Sequence, residues 1–71
     1  MAIKRITHTE AFHMANEELI NKAQDLAYQV GEITSDAECL DYAASMSSLL
    51  IEIKMRAIAK VFEINTPTGR S

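Results

Sequence analysis

The chain has 71 residues, 48% of them hydrophobic and 24% charged, and its formal net charge is −3. The hydrophobic fraction argues against a disordered chain, and the mild negative charge argues against a general nucleic-acid binder. No uncharged apolar run reaches the roughly 18 residues of a membrane span, and the first residues lack the apolar run of a secretory signal. Together with a single cysteine and four methionines, these features predict a cytoplasmic protein.

A chain this short makes at most one domain, and such a domain buries only about 60% of the surface that its unfolded chain exposes. Domains of this size usually need a disulfide, a metal ion or partner chains to be stable. Cys39 is the only cysteine, and its place on an apolar row predicts a buried small hydrophobe rather than a reactive thiol. The histidines and the cysteine lack the spacing of a metal site. By elimination we expect association between copies of the chain, without a cofactor or a metal.

The N-terminal half predicts a short arm followed by one long helix. Residues 1–6 alternate weakly in polarity and are expected to form an extended arm. Thr7 and Glu10 have the spacing of a capping box, in which each side chain accepts a hydrogen bond from the other residue's backbone N–H. An apolar seam at helical spacing then predicts a helix that continues to about Val30. Gly31 is expected to end it in the left-handed conformation that follows many helices.

The C-terminal half predicts a second, longer helix. Ser35 and Glu38 have the spacing of another capping box, and the helix is expected to run to about Ile64. The loop near residues 31–35 is so short that the helices must lie antiparallel as neighbours. The predicted fold is all-α: an antiparallel helical hairpin over residues 7–64 that assembles as a homo-oligomeric helical bundle. Residues 65–71 are expected to form a flexible C-terminal tail.

The second helix is apolar over most of its circumference. Two rows of apolar residues lie side by side, and the polar positions form a narrow strip that we expect to face solvent. That strip consists of Asp41, Ser45, Ser48, Glu52, Arg56, Lys60 and Glu63. One neighbouring helix cannot cover both rows, so copies of the chain are expected to associate. The residues expected at this oligomer interface are Cys39, Ala43, Met46, Leu50, Ile51, Ile53, Met55, Ala57, Ile58 and Val61.

These rows leave the number of copies open. Two hairpins packed back to back would form a four-helix bundle with two-fold symmetry. This dimer is the favoured arrangement, because two-fold homodimers are the commonest assemblies. Three or more hairpins could instead pack their second helices around a common axis.

Basic residues are predicted to gather at the open end of the hairpin. Antiparallel pairing about a turn near residue 33 places Ile6 beside Lys60 and Phe12 beside Lys54. The residues expected to contact an anion, a nucleotide or RNA there are Lys4, Arg5, Lys54, Arg56 and Lys60. Two such groups near a two-fold axis would focus a positive potential. The favoured interpretation is that these side chains simply solvate a helix face.

Catalytic constellations are sparse in this sequence. It has only two glycines and no glycine-rich phosphate loop. His8 and His13 would lie about 140° apart around a helix, too far apart to bind one metal ion together. The acidic residues near the turn are explained by helix capping and solubility. An enzyme would therefore need a composite site between chains, for which no complete set of groups is visible, and we do not expect one.

The expected function is that of a small, oligomeric interaction or regulatory protein without enzymatic activity. It would bind another protein through apolar helix surface that the oligomer leaves exposed. The expected partner contacts outside the second helix are Met14, Ile20 and Tyr28. The alternative is an oligomer that binds a nucleotide or RNA at basic patches between subunits.

Overall fold

A computed structural model describes the backbone of residues 3–65 and the side chains of residues 3–64. Over this range the chain contains helices and no strand, which confirms the all-α class. The helices are α1 (His8–Phe12), α2 (Asn16–Tyr28), a 3₁₀ helix (Gln29–Glu32) and α3 (Asp36–Asn65). Most of the expected C-terminal tail, residues 66–71, lies outside the described residues.

The first capping box is confirmed, but the helix that it starts is short. The Thr7 hydroxyl accepts from the Glu10 N–H at 3.2 Å, and the Glu10 carboxylate accepts from the Thr7 N–H at 2.9 Å. α1 nevertheless ends at Phe12, and α2 begins at Asn16 without a side-chain cap. The prediction of one continuous helix to Val30 is therefore wrong. The apolar spacing continues through the break, so periodicity alone does not reveal it.

The connection between α2 and α3 also differs from the prediction. Gly31 lies inside the 3₁₀ helix and its backbone is outside the left-handed region, so its predicted role as a left-handed terminator is wrong. The Ser35 hydroxyl accepts from the Glu38 N–H at 3.2 Å, as a capping box requires. The Glu38 carboxylate, however, accepts from the Thr34 N–H at 2.9 Å, one residue earlier than predicted. α3 then continues for 30 residues, about 45 Å at 1.5 Å per residue.

The N-terminal segment, residues 3–14, runs parallel to α3, whereas α2 returns antiparallel to it. Going forward along the segment, its contacts on α3 also move forward. Arg5 pairs with Asp41, and the backbone of Lys4 and Ile6 bonds Ser45. Further along, His8 bonds Glu52, and the Met14 carbonyl accepts from Arg56. The chain then reverses, so that Asn16 also contacts Arg56 and α2 leads back to the turn before α3. The predicted placement of Ile6 beside Lys60 is therefore wrong.

The hydrophobic core is small and the molecule is elongated. Among the described residues, the buried apolar ones are Ile3, Ala11, Leu19, Leu26 and Leu49. The radius of gyration is 15.3 Å and the extents are 54 × 17 × 16 Å, whereas a compact domain of this length would have a radius of gyration of about 11 Å. A long rod with few buried residues covers little of its own apolar surface.

The face of α3 that packs against the rest of the chain includes part of the polar strip, beside Met46 and Ile53. Ser45 is fully buried, Glu52 is buried, and Leu49 lies between them in the core. The expectation that this strip faces solvent is therefore wrong for Ser45 and Glu52, whereas Lys60 and Glu63 are exposed as expected. Ser45 is buried because residues 3–7 form no helix, so their backbone N–H and C=O groups need polar side chains as partners. The Ser45 hydroxyl accepts from the Ile6 N–H at 2.7 Å and donates to the Lys4 carbonyl at 3.0 Å.

Candidate functional site

Because α3 turns Ser45, Leu49 and Glu52 toward the rest of the chain, a row with five large apolar side chains faces away from the core. At 100° per residue, the positions opposite Leu49 lie on the other side of the helix. We call this row the outward stripe, and it consists of Leu40, Ala44, Ser47, Ile51, Met55, Ile58 and Phe62. Its five large apolar side chains are between 40% and 70% exposed. Such a row of large side chains is uncommon on the surface of a monomeric protein.

Exposed apolar residues of the other row widen this surface. Leu50 and Val61 are about half exposed, and Ala43 and Ala57 are also exposed. An open groove of about 520 Å³ adjoins the stripe, and its lining includes Ala43, Ser47 and Leu50. The small side chains at 43 and 47 leave room there for side chains of another molecule.

The interface residues predicted from the sequence divide between two environments. Met46 and Ile53 pack against the core of their own chain. The remaining eight are exposed: Cys39, Ala43, Leu50, Ile51, Met55, Ala57, Ile58 and Val61. The Cys39 thiol is exposed in the single chain, so its predicted burial would require a second copy at the oligomer interface and stays a prediction.

The C-terminal part of α3 extends beyond the other helices. The N-terminus of α2 lies beside Arg56, and every residue from 57 to 64 is exposed. Val61 and Ile64 belong to this section, which continues the exposed apolar surface by two helical turns.

Beneath this surface, α3 holds a polar cluster of Glu52, Arg56 and His8. The Glu52 carboxylate is 7% exposed and accepts from Arg56 Nε at 2.9 Å and from His8 Nε2 at 3.1 Å. The rest of the guanidinium donates to Asn16 Oδ1 at 2.6 Å and to three backbone carbonyls, of which the nearest is that of Met14 at 2.7 Å. The other two carbonyls are those of Ala11 and Phe12. All of these carbonyls lie at the break between α1 and α2, so Arg56 satisfies acceptors that a continuous helix would have paired internally.

The basic residues predicted to gather at one end are separated in the structure. Arg5 lies 3.5 Å from Asp41, whereas Lys60 bonds Glu63 at 3.0 Å. Along α3, Asp41 and Lys60 are about 28 Å apart. Arg5 and Lys60 therefore do not lie together, and the prediction of one basic cluster is wrong. Lys4 lies next to Arg5, Lys54 lines the groove, and Arg56 is engaged in the polar cluster. What each of them contacts outside the chain stays a prediction.

The predicted partner contacts on the N-terminal half also occupy different environments. Met14 packs against the core. Ile20 is 50% exposed on α2, and Tyr28 at the end of α2 is 84% exposed. Of these three residues, Ile20 and Tyr28 therefore present half or more of their surface to other molecules.

The carboxylates of Glu10 and Glu38 have lowered pKa values, and both cap helices. The hydrogen bond from the Thr7 N–H lowers the pKa of Glu10 below its ordinary value, and the Thr7 hydroxyl adds to this. The hydrogen bond from the Thr34 N–H lowers the pKa of Glu38 in the same way. Both pKa shifts follow from hydrogen bonds that favour the charged carboxylate. Each carboxylate helps to cap the N-terminus of a helix.

Within residues 3–64, no group of three or more His, Cys, Asp or Glu side chains is arranged to hold a metal ion. Among the helices described, none is long and apolar enough to cross a membrane. No protein-family model, curated protein or solved structure matches this chain.

Sequence reasoning missed the inward position of Leu49, Ser45 and Glu52. One signal could have shown it: Leu49 is a large apolar residue in the middle of the polar strip. A leucine there is poorly explained by a solvent-facing strip and well explained by a strip that packs against other backbone.

Proposed function

We propose that this chain is a non-enzymatic interaction protein that works as a homo-oligomer, with the outward stripe of α3 as the contact between copies. The observation that carries the proposal is the exposure of large apolar side chains along that stripe, on the side of α3 away from the core. From Leu40 to Phe62 the stripe is roughly 33 Å long. A predominantly apolar surface of this length is typical of a protein contact.

The energetics of a small domain support the same proposal. Burying apolar surface stabilises by about 25 cal/mol per Å², and this chain buries few large side chains on its own. A domain with so small a core gains stability when partner chains cover the rest. Self-association therefore supplies burial that the single chain lacks.

The use of the ionisable groups supports a non-enzymatic role. Glu10 and Glu38 cap helices. Glu52 is held between Arg56 and His8 and is buried, so a substrate would have to displace those contacts to reach it. These groups stabilise the fold, and the exposed apolar surface is what the molecule offers to others. Ile20 and Tyr28, which lie outside the stripe, would remain for a protein partner.

The proposal is tested by placing a charge on the stripe. Ile51→Asp puts a carboxylate at its centre, and we expect light scattering after size-exclusion chromatography to show a monomer of 7.9 kDa. The matched control is Ile20→Asp, because Ile20 on α2 is 50% exposed and Ile51 is 47% exposed. The control should keep the molar mass of the unmodified protein. A folded monomer of unmodified protein at micromolar concentration would overturn the proposal.

A further inference from the structure

We infer that two copies of α3 pair antiparallel across a two-fold axis at Ile51, so that the outward stripe is a self-complementary interface. This inference rests on the proposed self-association and adds its partner, orientation and register. Its basis is the symmetry of the stripe about Ile51. Leu40 and Phe62 are each eleven positions from Ile51, Ala44 and Ile58 seven, and Ser47 and Met55 four.

The sizes of the side chains favour the antiparallel orientation. The stripe has small residues, Ala44 and Ser47, before Ile51 and large residues, Met55 and Ile58, after it. In a two-fold antiparallel pair, residues equally distant from the axis face each other. Ala44 then faces Ile58 of the second copy and Ser47 faces its Met55, so large side chains fill the space beside small ones. A parallel pair would instead set small against small and large against large.

The straightness of the stripe supports a long contact. Leu40, Ile51 and Phe62 follow each other at intervals of eleven residues, which is close to three full turns of an α-helix. The stripe therefore stays nearly parallel to the helix axis, and two such stripes remain in contact along their whole length. The groove beside Ser47, of about 520 Å³, gives space for the methionine and isoleucine side chains of the second copy.

The area available is close to what a stable dimer needs. The large side chains of the stripe, with Leu50 and Val61 beside them, are each 40% to 70% exposed. Together they present on the order of 700 Å², and a standard interface buries about 800 Å² per partner.

The charges on α3 also favour the antiparallel orientation. Its first turns carry Asp36, Glu38 and Asp41, and its second half carries Lys54 and Lys60, of which Lys60 is paired with Glu63. Antiparallel pairing brings the acidic end of one helix toward the basic half of the other and sets the two helix dipoles in opposition. Parallel pairing would bring six acidic groups of the two copies together.

Disulfide cross-linking of single-cysteine variants tests face and orientation separately. Cys39 is exposed and is first replaced by serine, so that each introduced cysteine is the only one. Ile51→Cys should form a cross-linked dimer readily under mild oxidation, because position 51 meets its own copy on the axis. If Ile51→Cys does not cross-link in a dimeric sample, the inferred face is wrong.

Orientation is decided by Ala44→Cys alone and in a mixture with Ile58→Cys. In the antiparallel dimer the two copies of position 44 are about 21 Å apart along the helices, far beyond the ~4–7 Å between α-carbons that a disulfide spans. Ala44→Cys alone should therefore stay uncross-linked, while the mixture should give the mixed dimer as the main product. Cross-linking of Ala44→Cys to itself, without the mixed product, would show a parallel pair and overturn the inference.

Molar mass separates this outcome from failure of the proposed function. Light scattering on the reduced Cys39→Ser protein should show two chains, twice 7.9 kDa. A dimer whose cysteines cross-link in another pattern would overturn the antiparallel register and leave self-association standing. A monomer would overturn both.

Discussion

Arg56 joins all three parts of the molecule through one side chain. Its guanidinium bonds Glu52 on its own helix, Asn16 at the start of α2, and backbone carbonyls at the end of α1. An arginine suits this position because its planar group presents five N–H donors in fixed directions. A lysine has a single donor centre and could not reach carbonyls and carboxylate together.

We expect Arg56→Ala to lower the free energy of unfolding by about 2–4 kcal/mol, because it leaves the buried Glu52 carboxylate with His8 alone and removes the hydrogen bonds to the Phe12 and Met14 carbonyls. Urea denaturation followed by circular dichroism measures the change. The free energy of unfolding of Arg56→Lys should lie between those of the unmodified protein and Arg56→Ala, since lysine keeps a positive charge near Glu52 but lacks the planar guanidinium. The control is Lys60→Ala, because the Lys60–Glu63 pair is exposed. Its loss should lower the free energy of unfolding by less than about 1 kcal/mol. Equal losses in both alanine variants would contradict this role of Arg56.

At the scale of elements, local signals predicted the starts of helices better than their continuity. The hydrogen bond from the Glu10 N–H to Thr7 and that from the Glu38 N–H to Ser35 both form as expected, because a cap depends on residues close in sequence. At the break between Phe12 and Asn16, the backbone carbonyls accept from Arg56, some forty residues later. No local pattern contains that information, and for this reason the predicted long helix was wrong.

The backbone conformation predicted for Gly31, between α2 and α3, was also wrong, and a substitution at this position tests the observed conformation. Its backbone is outside the left-handed region, and a β-carbon added there would meet no atom within 4 Å. We therefore expect Gly31→Ala to stabilise the protein by about 0.4–1 kcal/mol, because alanine restricts the unfolded chain without straining the folded one. Thermal or urea denaturation measures this. A loss of stability would show that Gly31 adopts the left-handed conformation after all.

The two caps predict how stability changes in acid. Glu10 and Glu38 have pKa values below the ordinary 4.5 when folded, so the unfolded chain binds protons at a higher pH than the folded one. Their contribution is complete above the ordinary value and is lost as the pH falls through the folded-state pKa. We expect the combined variant Glu10→Gln and Glu38→Gln to lose less stability than the unmodified protein between about pH 5 and pH 3.

Thermal midpoints measured across that range test this expectation. Glu17→Gln is the control, since Glu17 is an exposed glutamate in the first turn of α2, outside both caps. Its midpoint should follow that of the unmodified protein. If the double variant shows the same acid dependence as the unmodified protein, the caps are not the source of the effect.

At the scale of the whole molecule, the sequence predicted that α3 has more apolar surface than one chain can cover, but it did not predict which side is left over. Hydrophobic spacing reports how wide an apolar face is, and it does not report the direction in which tertiary contacts turn it. Here the direction is set by polar contacts. Ser45 and Glu52 bond the N-terminal segment, and these bonds place Leu49 in the core and Ile51 on the outside.

This orientation makes the folded chain and its assembly parts of one equilibrium. If the outward stripe is covered only in the dimer, each tenfold rise in protein concentration favours the folded dimer by about 1.4 kcal/mol. For a unit of this size we expect the thermal midpoint to rise by about 3–6 °C per tenfold rise in concentration. Ile51→Asp should abolish that dependence, because a monomer's midpoint is independent of concentration, whereas Ile20→Asp should preserve it. A midpoint of the unmodified protein that stays constant over a hundredfold range would show that the chain folds alone, with its apolar stripe in water.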